Sequence, residues 1–322
     1  MKHKPNGRSI FCLILMYSLY LVLLSCAQRT MVEQTNNSKQ ALALHDTIPF
    51  TLTEHNNIII QALINDIDTV DLMFHTDAHF VSLTREALKS TKSIRFTDST
   101  EVESWGGGGE SKYSDHNTLS IKDLHFDSLR IWSSERSGHY SDGKVGPTVL
   151  KSQIFGLNYS ENILVLYSDL PDGLIRSGYF KIPIISDDGS LYVNAQSIVN
   201  HDTMSQNFLI HTGYSGTLLF DDDFVNENSL GSSMEIISES ELNDSYGNKV
   251  KTKKAMLPTL IISDYTISEL PIGFFEGSIG RQKRSVMGSE LLKRFDLVFD
   301  IRNEELYLKK SKYFDQGFPG LG

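Results

Sequence analysis

The chain repeats one order of landmarks in its two halves, and this duplication restricts its fold more than any other feature. An Ile-Pro dipeptide opens each half, a His-Thr dipeptide follows, and a glycine after apolar residues comes well downstream. The first two landmarks are 27 positions apart in the first half and 29 in the second, and the last two are 71 and 77 apart. Such near-equal spacing indicates two copies of one structural unit. The landmarks are Ile48, His75 and Gly146, then Ile182, His211 and Gly288.

Short strands rather than helices fill both halves. Runs rich in β-branched and aromatic residues are separated by Gly, Asn, Asp and Ser clusters, which is the pattern of an all-β protein. The runs are IPFTL, NIIIQALI, SLRIW, NILVLY, LYVNA, FLIHTG, LPTLIIS and LYLKK. Helix patterns are confined to the brief segments TREALKS and GSELLKRF and to a polar helix start at Asp221–Asp223. We therefore expect an all-β fold with a few short helices.

The first residues have the pattern of an export signal. Lys2, Lys4 and Arg8 precede the apolar run FCLILMYSLYLVLL, which ends close to Ser25-Cys26. This is a secretory signal pattern, and its end resembles a bacterial lipobox, which implies cleavage before Cys26 and lipid on that cysteine. An uncleaved membrane anchor is the alternative, since the run could nearly span a bilayer. Both interpretations place the remaining chain outside the cytoplasm, and the Ala-Gln that follows the cysteine implies, by resemblance, an outer-membrane address.

Composition narrows the classes of partner. Cys12 lies in the signal and Cys26 would carry lipid, so the exported part has no thiol for a disulfide or a cysteine metal site. The formal net charge is −10, and loss of the three basic residues of the signal would leave −13. This acidity argues against nucleic acid as a partner and against electrostatic adhesion to anionic lipid. Acyl chains would hold the protein on the membrane.

Two loops place a histidine where a known family has an aspartate. The segments LMFHTDAHFVSL and FLIHTGYSGTLLF resemble the active-site loops of retropepsin-like and pepsin-like aspartic peptidases, which carry Asp-Thr/Ser-Gly after an apolar strand. The resemblance spans most of residues 47–311. In the second half Thr212 and Gly213 match the pattern, and VMG ending at Gly288 supplies the downstream apolar-apolar-Gly element. In the first half Asp77 replaces the glycine, and Lys144 replaces one apolar position downstream.

The resemblance implies a two-lobed, aspartic-peptidase-like double barrel. We expect a signal peptide at 1–25, a tether at 26–46, an N-terminal lobe at 47–170, an interlobe linker at 171–177 and a C-terminal lobe at 178–314. Two independently folded domains are the alternative. The linker is placed by the turn-rich residues around Asp172 and Gly173.

The resemblance also assigns roles within the two loops. His75 and His211 would stand at the positions of the catalytic pair, and in the family the threonine of each loop bonds across to the other loop. Thr76 and Thr212 should therefore still brace the two loops, with Ala78 and Gly213 as matching loop residues. Glycine normally permits a tight turn at this point. Asp77 tolerates unusual backbone angles better than most residues, so we expect it to take the same turn with strain.

Two imidazoles do not reproduce the chemistry of a carboxylate pair. Paired carboxyl groups share one proton, so one acts as a base toward water and the other donates to the substrate carbonyl. Imidazoles repel when charged, offer one acceptor each when neutral, and are larger. We therefore predict a catalytically impaired relative, without cofactor, that binds an extended peptide or protein segment in the interlobe cleft. The alternative is an active hydrolase with an altered dyad, with Asp77 or a metal ion supporting His75 and His211.

The histidines also have simpler interpretations. They could bind a metal ion with Asp77 or His79 as a further ligand, since two histidines and one carboxylate are a recognised catalytic zinc set, although no HExxH spacing is present. Each histidine could instead do no more than hydrogen-bond its neighbouring threonine or the opposite loop.

A glycine run between the first loop and Gly146 resembles the flap of single-lobe retropepsins. It consists of Trp105, Gly106, Gly107, Gly108 and Gly109. Glycines would allow a mobile hairpin to approach a ligand closely, and an exposed loop without a ligand is the alternative. The corresponding place in the second half is the turn at Tyr246-Gly247-Asn248. We expect the basic run Arg281–Arg284 to be a solvated loop.

Overall fold

Strands dominate the part of the chain that this computed structural model describes, residues 45–104, 107–243, 249–275 and 283–319. The chain divides into two compact units, Met1–His45 and Asp46–Gly322, and almost all described residues belong to the second. The expected signal, the tether up to residue 44 and the lipid site Cys26 lie outside the described residues. No helix within the described residues is long and apolar enough to span a membrane.

The first half contains eleven strands in the described residues. They are β1 (His45–Pro49), β2 (Thr51–Leu52), β3 (Ile58–Ile64), β4 (Asp68–Phe74), β5 (Val81–Thr84), β6 (Asp98–Ser104), β7 (Gly107–Ile121), β8 (Leu124–Ser134), β9 (Gly143–Val145), β10 (Ile154–Asn158) and β11 (Ile163–Tyr167). The segment TREALKS forms only a 3-10 turn, Ala87–Lys89.

The second half contains ten strands and three short helices among the described residues. The strands are β12 (Phe180–Asp187), β13 (Ser190–Val199), β14 (Asp202–His211), β15 (Leu218–Leu219), β16 (Ile236–Asn243), β17 (Lys249–Ile262), β18 (Tyr265–Phe275), β19 (Ser285–Gly288), β20 (Phe295–Asp300) and β21 (Glu305–Lys310). The helices are α1 (Asp222–Glu227), α2 (Leu230–Ser233) and α3 (Ser289–Leu292), and a 3-10 turn, Ile175–Ser177, precedes β12. The all-β prediction is confirmed, and so is the helix start, since Asp221 accepts a hydrogen bond from the Phe224 backbone N–H at 2.8 Å.

The strand pairings of the two halves match one for one. β4 lies parallel to β9 in the first half, and β14 lies parallel to β19 in the second. β5 pairs with β8 and β9 as β15 pairs with β18 and β19. The hairpins β6–β7–β8 and β16–β17–β18 also correspond. The repeat of landmarks along the sequence is therefore a repeat of barrels in space.

A shared sheet joins the halves. Within the larger sheet of the described residues the order runs β1-β11-β10-β20-β21-β12, so the two halves contribute three strands each, in mirrored order. β10 and β20 form the central antiparallel pair, with Phe155 opposite Phe299. Their rings stack at a centroid distance of 4.5 Å. One continuous hydrophobic cluster includes residues of both halves, so apolar burial couples the two barrels.

A buried polar cluster connects the halves at a second place. Asn56, in the turn before β3, donates to Glu290 of α3 at 2.8 Å and to the Ser215 carbonyl at 3.2 Å. Lys293 and Arg294 both form ion pairs with the Glu290 carboxylate, at 2.8 and 3.1 Å. Asn56, Glu290 and Arg294 are buried. Because buried charges are costly unless they are paired and hydrogen-bonded, this cluster fixes the turn of the first half against the loop of the second.

Candidate functional site

The two predicted loops begin where equivalent central strands end. His75 directly follows β4, and its backbone N–H donates to the Val145 carbonyl of β9 at 2.9 Å. His211 is the last residue of β14 and lies opposite Gly288 of β19. Each histidine is thus placed by a pair of parallel strands. The two loops meet at the junction of the barrels, where the hydrogen bonds described next join them.

The predicted threonine brace is present. The Thr76 backbone N–H donates to Thr212 Oγ1 at 3.0 Å, and the Thr212 backbone N–H donates to Thr76 Oγ1 at 3.1 Å. Each hydroxyl then donates across the junction, Thr76 to the Ile210 carbonyl at 2.6 Å and Thr212 to the Phe74 carbonyl at 2.8 Å. Both threonines are buried. The four bonds are symmetric, so the two loops form one buried, braced frame.

The histidine rings lie edge to face inside this frame. Their centroids are 4.4 Å apart and their planes meet at 67°. The Asp77 backbone N–H donates to His75 Nδ1 at 3.2 Å. Because Nδ1 accepts this bond, a neutral His75 carries its proton on Nε2. His211 Nδ1, in contrast, is buried and has no hydrogen-bond partner among the described residues.

These contacts contradict the simplest interpretation of the histidines. Neither ring bonds a threonine, because both threonine hydroxyls are engaged with the opposite loop. His75 bonds its own loop, and His211 Nδ1 bonds nothing in the described part of the chain. An unpaired buried polar atom is destabilising. The second histidine is therefore not explained as a satisfied structural residue.

Gly213 provides the room that the first imidazole occupies. A Cβ at this position would lie 2.3 Å from His75 Cδ2 and 2.4 Å from Nε2, far inside van der Waals contact. Its backbone φ is not positive, and neither is that of Asp77, the equivalent residue of the first loop. The expectation of a strained Asp77 is therefore wrong. Glycine is required in the second loop for space rather than for an unusual backbone angle.

The downstream glycines have the same role in both halves. A Cβ on Gly146 would lie 1.6 Å from the Ala78 carbonyl oxygen, and one on Gly288 would lie 2.4 Å from the Gly216 carbonyl oxygen. The backbone after each parallel strand therefore runs directly against the loop. In the second half α3 adds a further contact, because Ser289 Oγ donates to the Thr212 carbonyl at 2.7 Å.

Burial and neighbouring charges keep both imidazoles neutral. Desolvation lowers the pKa of His75 well below its ordinary value, and the charges of His211 and Lys144 lower it further. The pKa of His211 falls to about 4, first because of desolvation, although the nearby Asp77 carboxylate opposes the fall. Lys144 and Arg284 lower the His211 pKa as well. At neutral pH the site therefore offers two uncharged nitrogen bases between two cations and one carboxylate.

Asp77 is directed to the opposite barrel. Its Oδ1 accepts from Ser190 Oγ at 2.6 Å, and its Oδ2 accepts from Arg284 Nη2 at 3.3 Å. Arg284 Nη1 also donates to Ser190 Oγ at 3.2 Å and to Tyr192 Oη at 3.4 Å. Of the basic run that was predicted to be a solvated loop, Lys283 and Arg284 are described and both are exposed. The Arg284 guanidinium nevertheless forms this contact between the barrels.

The donor set does not fit a metal ion. Among the described residues no group of three or more His, Cys, Asp or Glu side chains is arranged to hold one. The Asp77 carboxylate is bound to Ser190 and Arg284, and His79 is an exposed residue. Lys144 and Arg284 add positive charge at the histidines, which opposes a divalent cation. No step of the chemistry of this site is therefore assigned to a metal.

The glycine run lies in a hairpin. β6 and β7 pair antiparallel, with Ser104 opposite Gly107, Glu103 opposite Gly108 and Val102 opposite Gly109. Trp105 and Gly106, at the predicted tip, lie outside the described residues, as do Tyr246–Asn248 in the corresponding hairpin β16–β17. The flap interpretation of this segment stays a prediction.

Reasoning from the sequence missed four residues of the site. Ser190, Tyr192 and Arg284 contact Asp77 or its partners, and Lys144 lowers the pKa of both histidines. Lys144 had a signal, because it breaks the apolar-apolar-Gly pattern. The other three had none, since Ser190 and Tyr192 belong to β13 and Arg284 directly precedes β19, far from the first loop in the sequence.

Comparisons with known proteins agree on the fold alone. No protein-family model matches the chain, and no curated protein matches it. Among solved structures 448 chains match. One is an aspartic proteinase from Irpex lacteus, with a TM-score of 0.55 and 14% sequence identity over 85% of this chain and 99% of that one. At this identity the likeness concerns architecture: the chain has the two-barrel, all-β fold of an aspartic proteinase.

Proposed function

We propose that this protein binds an extended peptide segment between its two barrels and does not cleave it by the acid–base chemistry of an aspartic peptidase. The observation that carries the proposal is the pair of neutral histidines, 4.4 Å apart, inside an intact threonine brace. The brace preserves the frame, and the imidazoles replace the groups that would have to share a proton.

The missing reaction follows from the protonation states. A carboxyl pair works because one member is a base while its partner keeps a proton for the substrate carbonyl. Here desolvation lowers the pKa of both rings, so each is neutral in the neutral and mildly acidic range. A neutral imidazole cannot donate the strongly acidic proton that a carboxylic acid supplies. Loss of a positioned acid or base costs about a hundredfold to ten-thousandfold in rate.

The surroundings of the site suit an extended ligand. The hairpin β6–β7 offers glycine backbone to a ligand strand, which favours main-chain hydrogen bonding. Three aromatic rings lie side by side at the base of this hairpin. The ring centroids of Phe80 and Trp132 are 5.9 Å apart, and those of Trp132 and Tyr113 are 5.1 Å apart. Phe80 is exposed. Aromatic surface of this kind contributes much of the binding energy of peptide interfaces.

An altered hydrolytic dyad is the second candidate. It is favoured by the unpartnered Nδ1 of His211, which could accept a proton from water. The orientation of Asp77 weighs against it, because its carboxylate is held by Ser190 and Arg284 rather than by an imidazole.

Digestion of a peptide library by the full chain, purified in detergent, separates the two candidates. The products are read by mass spectrometry from pH 4 to 8, with and without chelator, and binding of the uncleaved peptides is measured in parallel. We expect binding without cleavage. Cleavage that disappears in the variant His75→Ala/His211→Ala would show that the protein is a hydrolase and overturn the proposal of binding without cleavage. Loss of that cleavage with chelator would then identify a metal enzyme.

We further propose that the chain is exported and lipid-anchored through Cys26, in an outer membrane. The support is the basic, apolar and Leu-x-Ser-Cys pattern of the first residues. Labelling with a radioactive fatty acid in a bacterial host should mark the full chain and leave Cys26→Ala unlabelled. Equal labelling of both would contradict the proposal.

A further inference from the structure

A cavity of about 440 Å³ lies at Asp77, two residues after His75. The first barrel contributes Asp77 and His79 to its lining, and the second contributes Ser190, Tyr192 and Arg284 among others. Its size falls within the range of clefts that bind small groups, about 300 to 1,000 Å³. Because the Asp77 backbone N–H bonds His75 Nδ1, the cavity adjoins the place where the proposed peptide crosses the histidines.

One side of the cavity is a fixed network. Ser190 Oγ donates to Asp77 at 2.6 Å, and Arg284 donates to Asp77, Ser190 and Tyr192 at 3.3, 3.2 and 3.4 Å. The positive charge of Arg284 is thus balanced within the cavity wall by Asp77. A rigid, hydrogen-bonded wall lowers the cost of ordering a ligand against it.

The other side carries two further carboxylates. Asp187 is the last residue of β12 and Asp188 lies in the turn that follows it; both line the cavity and are exposed. Neither carboxylate has a hydrogen-bond or ion-pair partner among the described residues. The next residue, Gly189, has φ +80, and a Cβ there would lie 2.7 Å from the His79 ring. The turn therefore packs tightly against the first barrel. This packing holds both carboxylates at the cavity.

The charges of the lining leave an excess of two negative charges. Asp77, Asp187 and Asp188 contribute three carboxylates to the lining, and Arg284 contributes one guanidinium. The aromatic ring of Tyr192 completes the wall. Carboxylates and an aromatic ring around a cavity of this size complement an ammonium or guanidinium group on a flexible apolar stem.

We propose that this cavity receives a lysine or arginine side chain of the peptide that crosses the histidine pair. The inference rests on the proposed peptide-binding function and adds a charge specificity to it. Asp187 and Asp188 determine that specificity, while Asp77 and Arg284 hold the wall.

The test begins with a positional-scanning library of acetylated and amidated octapeptides, captured on the full chain in detergent. The expected result is enrichment of Lys and Arg at one position. A peptide with Lys there should bind about threefold to tenfold tighter than the same peptide with norleucine, and the preference should decline with rising salt. Asp187→Asn/Asp188→Asn should abolish the preference.

A matched control separates the cavity from the general acidity of the chain. The variant Asp123→Asn/Asp127→Asn also removes two negative charges, but from exposed positions of the first barrel that lie outside the cavity lining. It should leave the preference for Lys unchanged. Equal binding of the Lys and norleucine peptides, or a preference that survives Asp187→Asn/Asp188→Asn, would overturn the inference and leave the peptide-binding function in place.

A library without any binder would overturn the peptide-binding function itself. The cavity is then tested alone by titrating Nα-acetyl-lysine methylamide and its norleucine analogue while recording backbone amide resonances of Asp188 and Tyr192. If only the lysine compound shifts these resonances, the cavity binds the cationic side chain. Identical responses to both compounds would overturn the proposed cation site.

Discussion

The loops that carry His75 and His211 share one frame and differ in what surrounds their histidines. In the first loop His75 accepts a hydrogen bond from the Asp77 backbone N–H, and the Asp77 side chain is tied to the opposite barrel. In the second loop Gly213 takes the place of Asp77, and His211 Nδ1 has no partner among the described residues. The brace is therefore symmetric, whereas the environment of the imidazoles is not.

The symmetric threonine brace predicts the largest effect on the free energy of unfolding. Thr76→Val and Thr212→Val each remove a hydroxyl that accepts one bond and donates another across the junction. Each substitution leaves a buried backbone N–H without its acceptor, so each should lower the free energy of unfolding by about 2 to 4 kcal/mol. Urea denaturation measures both. A clear difference between the two variants would break the symmetry that the brace suggests.

Gly213→Ala should lower the free energy of unfolding because Gly213, which stands where the first loop has Asp77, packs directly against the His75 ring of that loop. Its Cβ would overlap the His75 ring, and overpacking of this kind costs about 1 to 3 kcal/mol. The same substitution in a His75→Ala background should cost much less, because the overlapping ring is absent. Denaturation of the four proteins of this double-mutant cycle gives the coupling. A cost of Gly213→Ala that persists without the ring would show that the glycine has another role.

The histidine pair should make the fold sensitive to mild acid. Because the pKa of His211 is lowered to about 4 in the fold while an unfolded histidine titrates near 6.5, the unfolded chain binds the proton first as pH falls. Stability is therefore fully present above pH about 6.5 and is lost between there and pH about 4, by roughly 3 kcal/mol for the shift of His211 alone. His75→Gln/His211→Gln should flatten the dependence of the unfolding free energy on pH. An unchanged slope would contradict the neutral state of the pair.

The contact between Asp77 and Arg284 predicts the smallest effect. The Arg284 side chain is about half exposed, at 47%, and such ion pairs contribute about 0 to 1 kcal/mol. Arg284→Gln and Asp77→Asn should each lower stability by less than about 1 kcal/mol, with a coupling of the same size in a double-mutant cycle. Gly213→Asp, which would copy the first loop into the second, should be far more costly because of the His75 ring.

Patterns local to the sequence predicted much of the frame. The spacing of the landmarks predicted duplicated lobes, runs of β-branched and aromatic residues predicted the strands, and the resemblance of the two loops to those of aspartic peptidases implied the brace. These features depend on periodicity or on residues within one loop, so a single stretch of sequence carries them. The same patterns placed His75 and His211 in equivalent positions.

Other features depend on residues that only folding brings together. The partner of Asp77 is Arg284, 207 positions away, and no local pattern connects them. The role of Gly213 was misjudged for a similar reason, because the ring that requires its missing Cβ belongs to the other loop. Close packing makes such contacts specific to three-dimensional position rather than to residue type.

The sequence by itself therefore determined a duplicated all-β chain with histidines at the two loop positions, since strand period and loop motifs are properties of neighbouring residues. The tertiary structure alone decided that His75 is buried and His211 half-buried, and that both are neutral and unequal in their hydrogen bonds. It also decided that Asp77 serves the junction of the barrels, next to an acidic cavity. Burial, pKa and charge pairing are set by distances between distant segments, and those distances exist only in the folded chain.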